Sequence, residues 1–247
     1  MAFDFDGTLS QIVPRPEDAV LDPTLMPLLT RIGEIVGCLA VISARDRATL
    51  TRRLPAGWLT LGSYGLELPE SISASGFPDG FDPVAARASL DGVEHALGAL
   101  VARWPNARLE GKSWGIAVHF RDGAEAVYAD PATFATVKIV AQGHGCHAIA
   151  GRLVIEVAPD GAVDKGWAVR HLARALSPSA IVFTGDDLGD VPAWRAVREL
   201  GATIPTVAVG IRSNETPASE LEVCEVALDG RGELSGLLSR LLELAER

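Results

Sequence analysis

Phe3-Asp4-Phe5-Asp6-Gly7-Thr8-Leu9 closes a short apolar run at the start of the chain. Residues 2–5 read as a buried strand. Two carboxylates two positions apart at a strand end project to the same side, and Gly7 lets the backbone turn away sharply. Such a pair can hold a hard cation and offer both a nucleophile and an acid. A bare Asp-x-Asp is often only a charged turn. The full Asp-x-Asp-Gly-Thr-Leu string after an apolar strand is far more specific.

Working outward, four more apolar runs, 39–43, 58–62, 181–185 and 206–210, end in polar or glycine residues and read as buried parallel strands. Helical spacing covers 23–36, 165–176 and 233–245. Strand and helix in alternation predict a doubly wound α/β sheet. The middle differs. After the turn-rich Phe77-Pro78-Asp79-Gly80 comes a helix over 83–103, strands over 107–110 and 114–120, a helix over 131–142, and strands over 146–150 and 153–157 joined at Gly151-Arg152. This αββαββ order predicts a small α+β domain at 80–158, inserted into a core formed by 1–79 and 159–247.

With 247 residues and 48% apolar content the chain can bury such a core and insert. The net charge of −10, from 32 acids against 22 bases, speaks against a nucleic-acid partner. No apolar run is long enough to span a bilayer, and two acids within the first six residues do not fit a basic-then-apolar leader. A soluble, cytoplasmic, monomeric protein is the expectation. With three residues ahead of Asp4, the first strand is unusually short, as it would be if the native chain began upstream. Cys38, Cys146 and Cys224 fit neither a disulfide framework nor a zinc site, and Cys38 and Cys146 read as small core residues.

Three further motifs carry chemistry. Val41-Ile42-Ser43 places a hydroxyl at the second strand's end, where it can bond a phosphoryl oxygen. Asp164-Lys165-Gly166 opens a helix. Lysine is disfavoured at a helix N-terminus, and this chain has three lysines against 19 arginines, so Lys165 reads as a point charge placed against developing phosphate charge. In Thr184-Gly185-Asp186-Asp187-Leu188-Gly189-Asp190 three acids crowd the end of a strand, which calls for a cation. With Asp4 they would form an oxygen-only site of the kind magnesium prefers. All four motifs lie beyond the carboxyl ends of strands, where open α/β sheets bind ligands.

The Asp4–Leu9 string resembles the first signature of the haloacid dehalogenase superfamily of phosphohydrolases. Ile12-Val13-Pro14, Val41-Ile42-Ser43-Ala44-Arg45, Gly62-Ser63-Tyr64-Gly65-Leu66-Glu67, His119-Phe120-Arg121, Val154-Ile155-Glu156-Val157 and Gly185-Asp186-Asp187 narrow this to a resemblance to trehalose-6-phosphate phosphatases over almost the whole chain. The resemblance implies a Rossmann-like core with a mobile cap and a Mg2+-dependent conversion of trehalose 6-phosphate to trehalose and phosphate. It implies Asp4 as nucleophile, Asp6 as general acid/base, and Ser43 and Lys165 as phosphate-binding residues. Asp4, Asp186 and the main-chain carbonyl of Asp6 would hold the metal, with Asp187 and Asp190 supporting them. Arg45, Glu67, Lys112, His119, Arg121 and Glu156 would contact substrate. The chain departs from the family's usual residues at Ala44, Tyr64, Ala158, Gly189 and Val191. These departures spare the nucleophile, acid and lysine, and they keep open a phosphatase for another sugar or pseudo-disaccharide phosphate. A non-enzyme reading, an inactive phosphate-binding regulatory domain, is opposed by the intact Asp4, Asp6, Lys165 and Asp186 set.

Overall fold

Short, near-continuous apolar runs can be buried on both faces of a sheet only if helices cover both faces. The computed structural model, which describes every residue except Pro14, Asp122, Arg152, Asn214, Glu215 and Arg247, solves the problem that way. In chain order the elements are β1 (Ala2–Phe3), α1 (Met26–Ile35), β2 (Ala40–Ile42), α2 (Arg47–Arg53), β3 (Leu59–Leu61), α3 (Pro83–Val101), β4 (Arg108–Lys112), β5 (Gly115–His119), α4 (Glu125–Ala129), α5 (Pro131–Gly143), β6 (Cys146–Gly151), β7 (Val154–Pro159), α6 (Lys165–Leu176), β8 (Ile181–Gly185), α7 (Val191–Leu200), β9 (Thr206–Ile211), α8 (Ala218–Leu221), β10 (Val226–Leu228) and α9 (Leu234–Ala245). They fall into two units, Met1–Phe77 with Val163–Arg247, and Pro78–Ala162. Pro14 and Arg152, each part of a sequence signal above, lie outside the described residues.

In the first unit the strands form a parallel sheet in the order β10-β9-β8-β1-β2-β3. Alternation along each strand decides which layer a side chain enters. Phe3, Val41 and Val209 pack with Leu29 and Ile32 of α1 and Leu234, Leu238 and Leu242 of α9. Ala2, Ile42 and Phe183 point the other way, onto Val169 and Leu172 of α6 and Ala193, Trp194 and Val197 of α7. Each fully buried large apolar side chain contributes roughly 1.5–3 kcal/mol. Chain direction from β1 reverses: β2 lies on one side of it and β8 on the other. The crevice at their carboxyl ends is therefore the topological switch point.

In the second unit the antiparallel sheet runs β4-β5-β7-β6. Asp-Pro pairs start two of its helices. Asp82 accepts from the Val84 and Ala85 amides ahead of α3, Asp130 accepts from Ala132 ahead of α5, and each following proline has no N–H to lose. Leu90, Val93 and Leu97 of α3 and Val137 and Ala141 of α5 bury Ile116, Val118, Ile155 and Val157 of the sheet. This unit ends at Ala162 rather than at 158. β7 continues to Pro159, paired with Cys146, and the Asp160 amide then donates to the Gly145 carbonyl. Cys146 is buried, whereas Cys38 is only half-buried at the margin of the core, and its carbonyl accepts from the Met1 ammonium.

Candidate active site

The first motif turns where expected. The Asp4 amide donates to Thr184 O at 2.8 Å, which pins the end of β1 to β8. Gly7 then adopts φ +86°, and a Cβ there would stand 2.2 Å from Asp186 Oδ2. The turn thus needs glycine both for its backbone conformation and to let the β8 carboxylate approach. Thr8 Oγ1 donates to Asp186 Oδ1 at 3.1 Å, and Thr216 Oγ1 and Ser213 Oγ donate to the Asp186 carbonyl, fixing this residue from both ends. Gly185 makes the same allowance for Asp190, whose Cγ lies 2.3 Å from where its Cβ would be.

Lys165 reaches this cluster from the first turn of α6, where Asp164 caps the Trp167 amide at 2.7 Å. Its Nζ donates to Asp4 Oδ1 at 2.5 Å and to Asp190 Oδ1 at 2.7 Å, and the side chain is 3% exposed. The other Asp190 oxygen accepts the Asp186 and Asp187 amides at 2.8 and 3.1 Å. Asp190 is therefore committed to holding the lysine and the loop. Ser43, buried at the end of β2, receives the Arg45 amide on its hydroxyl at 3.2 Å.

Carboxylate atoms of Asp4, Asp186 and Asp190 lie within 4.8 Å of one another. Burial and mutual repulsion leave their mark on the protons. Burial, then the charges of Asp190 and Asp187, push the Asp186 carboxyl up to about 8. Burial and Asp190 push Asp187 up to about 7, and Asp187 Oδ1 is buried with no hydrogen-bond partner among the described residues. Burial also raises Asp4 well above the carboxylate range, against the pull of Lys165. Burial would discharge Lys165, but Asp190 and Asp4 override it and keep the ammonium charged. One buried cation thus faces a cluster with more negative charge than it can balance, and an all-oxygen donor set of this kind fits a divalent cation.

A pH dependence follows. Carboxyls raised in the folded chain bind protons more tightly there than in the unfolded chain, so metal-free stability falls as pH rises from about 4 toward about 8. A dication competes for the same oxygens. The rise in Tm on adding Mg2+ is therefore expected to be larger at about pH 8.5 than at about pH 6. Equal shifts at both would mean that these acids do not receive the metal.

The second unit gathers the other polar candidates on one sheet face, opposite its apolar face. Register places Glu110 and Lys112 of β4, His119 of β5 and Glu156 of β7 together there. Lys112 Nζ lies 2.5 Å from Glu156 Oε1, and His119 Nε2 lies 2.6 Å from Glu110 Oε2. The hydrogen bond from His119 holds the Glu110 carboxyl below its usual range, although burial opposes it. Glu110 was not singled out in the sequence, although its two-residue spacing from Lys112 puts both on the same face. Arg121 is exposed just beyond β5. In the first unit, Glu67 turns inward: its oxygens accept the Arg47 amide at 2.7 Å and the Ser63 hydroxyl at 3.0 Å, which braces the turns after β2 and β3. Arg45 faces Asp6.

A cavity of about 610 Å³ lies at the amino ends of the strands, lined by residues such as Ile32, Cys38, Val169, Leu172, Ile181 and Leu241. None of the described residues lining it has an acidic or basic side chain, so it is not the candidate site despite its size.

A parallel sheet whose switch point carries the Asp4, Ser43, Lys165 and Asp186 motifs, with an inserted α+β unit, defines a core-and-cap protein of the haloacid dehalogenase superfamily. The C. albicans trehalose-6-phosphate phosphatase C-terminal domain superposes with a TM-score of 0.73 at 20% identity, covering 97% of this chain and 90% of that one. The trehalose-phosphatase family profile matches residues 2–222, and the chain belongs to that family. The trehalose-phosphate phosphatase of Mycobacterium tuberculosis (strain H37Rv) is 36% identical over 215 residues, 82% of this chain and 52% of that protein. That of Mycobacterium avium (strain 104) is 34% identical over 256 residues, 99% of this chain and 62% of that protein. The chain thus spans about half to three-fifths of the length of these curated relatives.

Proposed function

We propose that the chain is a phosphoric monoester hydrolase acting on a sugar phosphate, trehalose 6-phosphate foremost, with Mg2+ as cofactor. The observation that carries this reading is the buried Asp4 carboxylate at the switch point, held by Lys165 at 2.5 Å beside Asp186. A free Asp4 oxygen attacks phosphorus while the bond to the sugar oxygen breaks, and Asp6 gives that oxygen a proton. Water then attacks the aspartyl-phosphate, Asp6 accepts its proton, and phosphate leaves Asp4 as a carboxylate. Lys165 and Ser43 orient the phosphoryl oxygens, and Lys165 offsets the charge that grows on them. Mg2+, held by Asp4, Asp186 and the main-chain carbonyl of Asp6, would supply electrostatic stabilisation of the same charge. Asp187 and Asp190 support that arrangement. The reading takes the protein as a cytoplasmic monomer with a small phosphosugar as its partner.

The polar face of the second unit supports a sugar rather than a bare phosphate. Lys112, His119, Arg121 and Glu156 supply charged groups for hydroxyls, and such hydrogen bonds contribute roughly 1.5–3 kcal/mol before ordering costs. Trehalose 6-phosphate is expected to exceed glucose 6-phosphate by at least about tenfold in kcat/KM, about 1.4 kcal/mol. Lys112→Ala or Glu156→Ala should erode that ratio while p-nitrophenyl phosphate hydrolysis changes little. Phosphate release across a panel of phosphosugars tests this. Equal efficiency on the two, or a third phosphosugar preferred, moves the assignment to another sugar phosphate.

A further inference from the structure

Asp4, Asp186 and Asp190 cluster their carboxylates, and among the described residues Asp6 is not part of that cluster. It is instead gripped by a fork. Arg45 Nε donates to Asp6 Oδ2 at 2.6 Å and Arg45 Nη2 to Asp6 Oδ1 at 2.7 Å. The guanidinium is itself fixed. It lies 5.5 Å from the centroid of the Phe5 ring, and its side chain is 13% exposed against 39% for Asp6. Its backbone is tied at both ends, the amide to Ser43 Oγ and the carbonyl to the Ser63 amide at 2.8 Å. The turn that carries the phosphate-binding hydroxyl therefore also carries the group that aims Asp6.

We infer that Arg45 is a positioning residue for Asp6, acting on the reaction through the direction it gives that carboxylate rather than by binding the substrate's phosphate. The inference rests on the covalent mechanism proposed above. A half-exposed aspartate on a tight turn would otherwise spread over several rotamers, whereas a bidentate guanidinium constrains both oxygens at once. Proton delivery depends steeply on such placement: a displacement of about 1 Å can cost about 10²-fold. Lysine cannot replace the fork, because one ammonium is a point charge and does not span two carboxylate oxygens in a plane.

Leaving groups separate the two roles. A sugar oxygen is a poor leaving group and needs the proton from Asp6, whereas p-nitrophenolate leaves without one. In single-turnover phosphorylation of the enzyme, Arg45→Ala is expected to slow reaction with trehalose 6-phosphate by about 30- to 100-fold. With p-nitrophenyl phosphate the same variant should stay within about threefold of the parent, as should inhibition by inorganic phosphate. Arg45→Lys should remain within about threefold of Arg45→Ala on the sugar ester, and it serves as the test if the alanine variant does not fold. Equal losses on both esters, phosphate inhibition weakened about tenfold or more, or full recovery with lysine would each overturn the inference. A parent enzyme that forms no phosphorylated Asp4 with either ester would instead defeat the covalent mechanism, which keeps the two failures apart.

Discussion

Asp4→Asn is expected to lower phosphate release by about 10⁴-fold or more while leaving the fold intact. The side chain is 5% exposed, keeps its volume on substitution, and ends a strand whose backbone bond to Thr184 is untouched. An amide nitrogen has no nucleophilic lone pair to offer phosphorus, and the neutral group is a poorer partner for a dication. The change also removes one negative charge from a cluster that carries too many, so thermal stability without metal should hold or rise. Steady-state phosphate release and a thermal melt check both parts. Substantial release by a folded, uncontaminated Asp4→Asn protein would overturn Asp4 as nucleophile.

Lys165→Ala is expected to cost both stability and activity. Its ammonium is the shared partner of Asp4 and Asp190, both buried, so its loss leaves carboxylates facing one another without their cation. Breaking a buried pair by removing one partner costs about 3–5 kcal/mol. Lys165→Arg should not restore turnover. The start of α6 is packed closely: a Cβ on Gly166 would lie 2.4 Å from the Pro192 carbonyl, and the lysine itself is 2% exposed. A planar guanidinium is wider than the space an ammonium fills and presents its donors in a different geometry. Urea midpoints and phosphate release measure the two effects. An arginine variant with wild-type rate and midpoint would mean that any positive charge suffices there.

The parts legible in the sequence share one physical cause: they sit where a strand ends and side-chain chemistry follows at once. Asp4, Asp6, Ser43, Lys165 and Asp186 follow apolar runs or open a helix, and the helix at 165–176 has the same bounds in the structure. Less legible were elements whose stability comes from neighbours. β10 is three residues at a sheet edge, bounded by Glu225 and Asp229, and its pairing with β9 makes it a strand. α2 has seven residues, five of them polar (Arg47, Thr49, Thr51, Arg52 and Arg53), with one buried apolar anchor, Leu50. It depends on the Asp46 cap to Thr49, a local hydrogen bond that composition does not reveal. α7 starts directly after the acidic loop, with Pro192 in its first turn, where proline costs no hydrogen bond.

Side-chain direction was the other hidden quantity. Glu67 and Arg45 stand in motif positions that suggest outward contacts, but each bonds to a group of its own unit. Glu110 shows the converse. Its role in the polar face depends on strand register, which brings it opposite Ala117 and beside His119 and Lys112. Register is set by the pairing of whole strands and cannot be read from one position.

The most direct test of the covalent account is mass analysis of peptides from enzyme quenched in acid during turnover of trehalose 6-phosphate with Mg2+. Asp6→Asn protein given p-nitrophenyl phosphate, whose leaving group needs no proton from Asp6, serves as a second sample, because only the second step is slowed there. The account predicts one phosphoryl group on the peptide containing Asp4, absent from Asp4→Asn and lost on chasing wild-type enzyme with buffer. Sustained phosphate release with no phosphorylated Asp4 in either protein, or a phosphoryl group on a different residue, would contradict it.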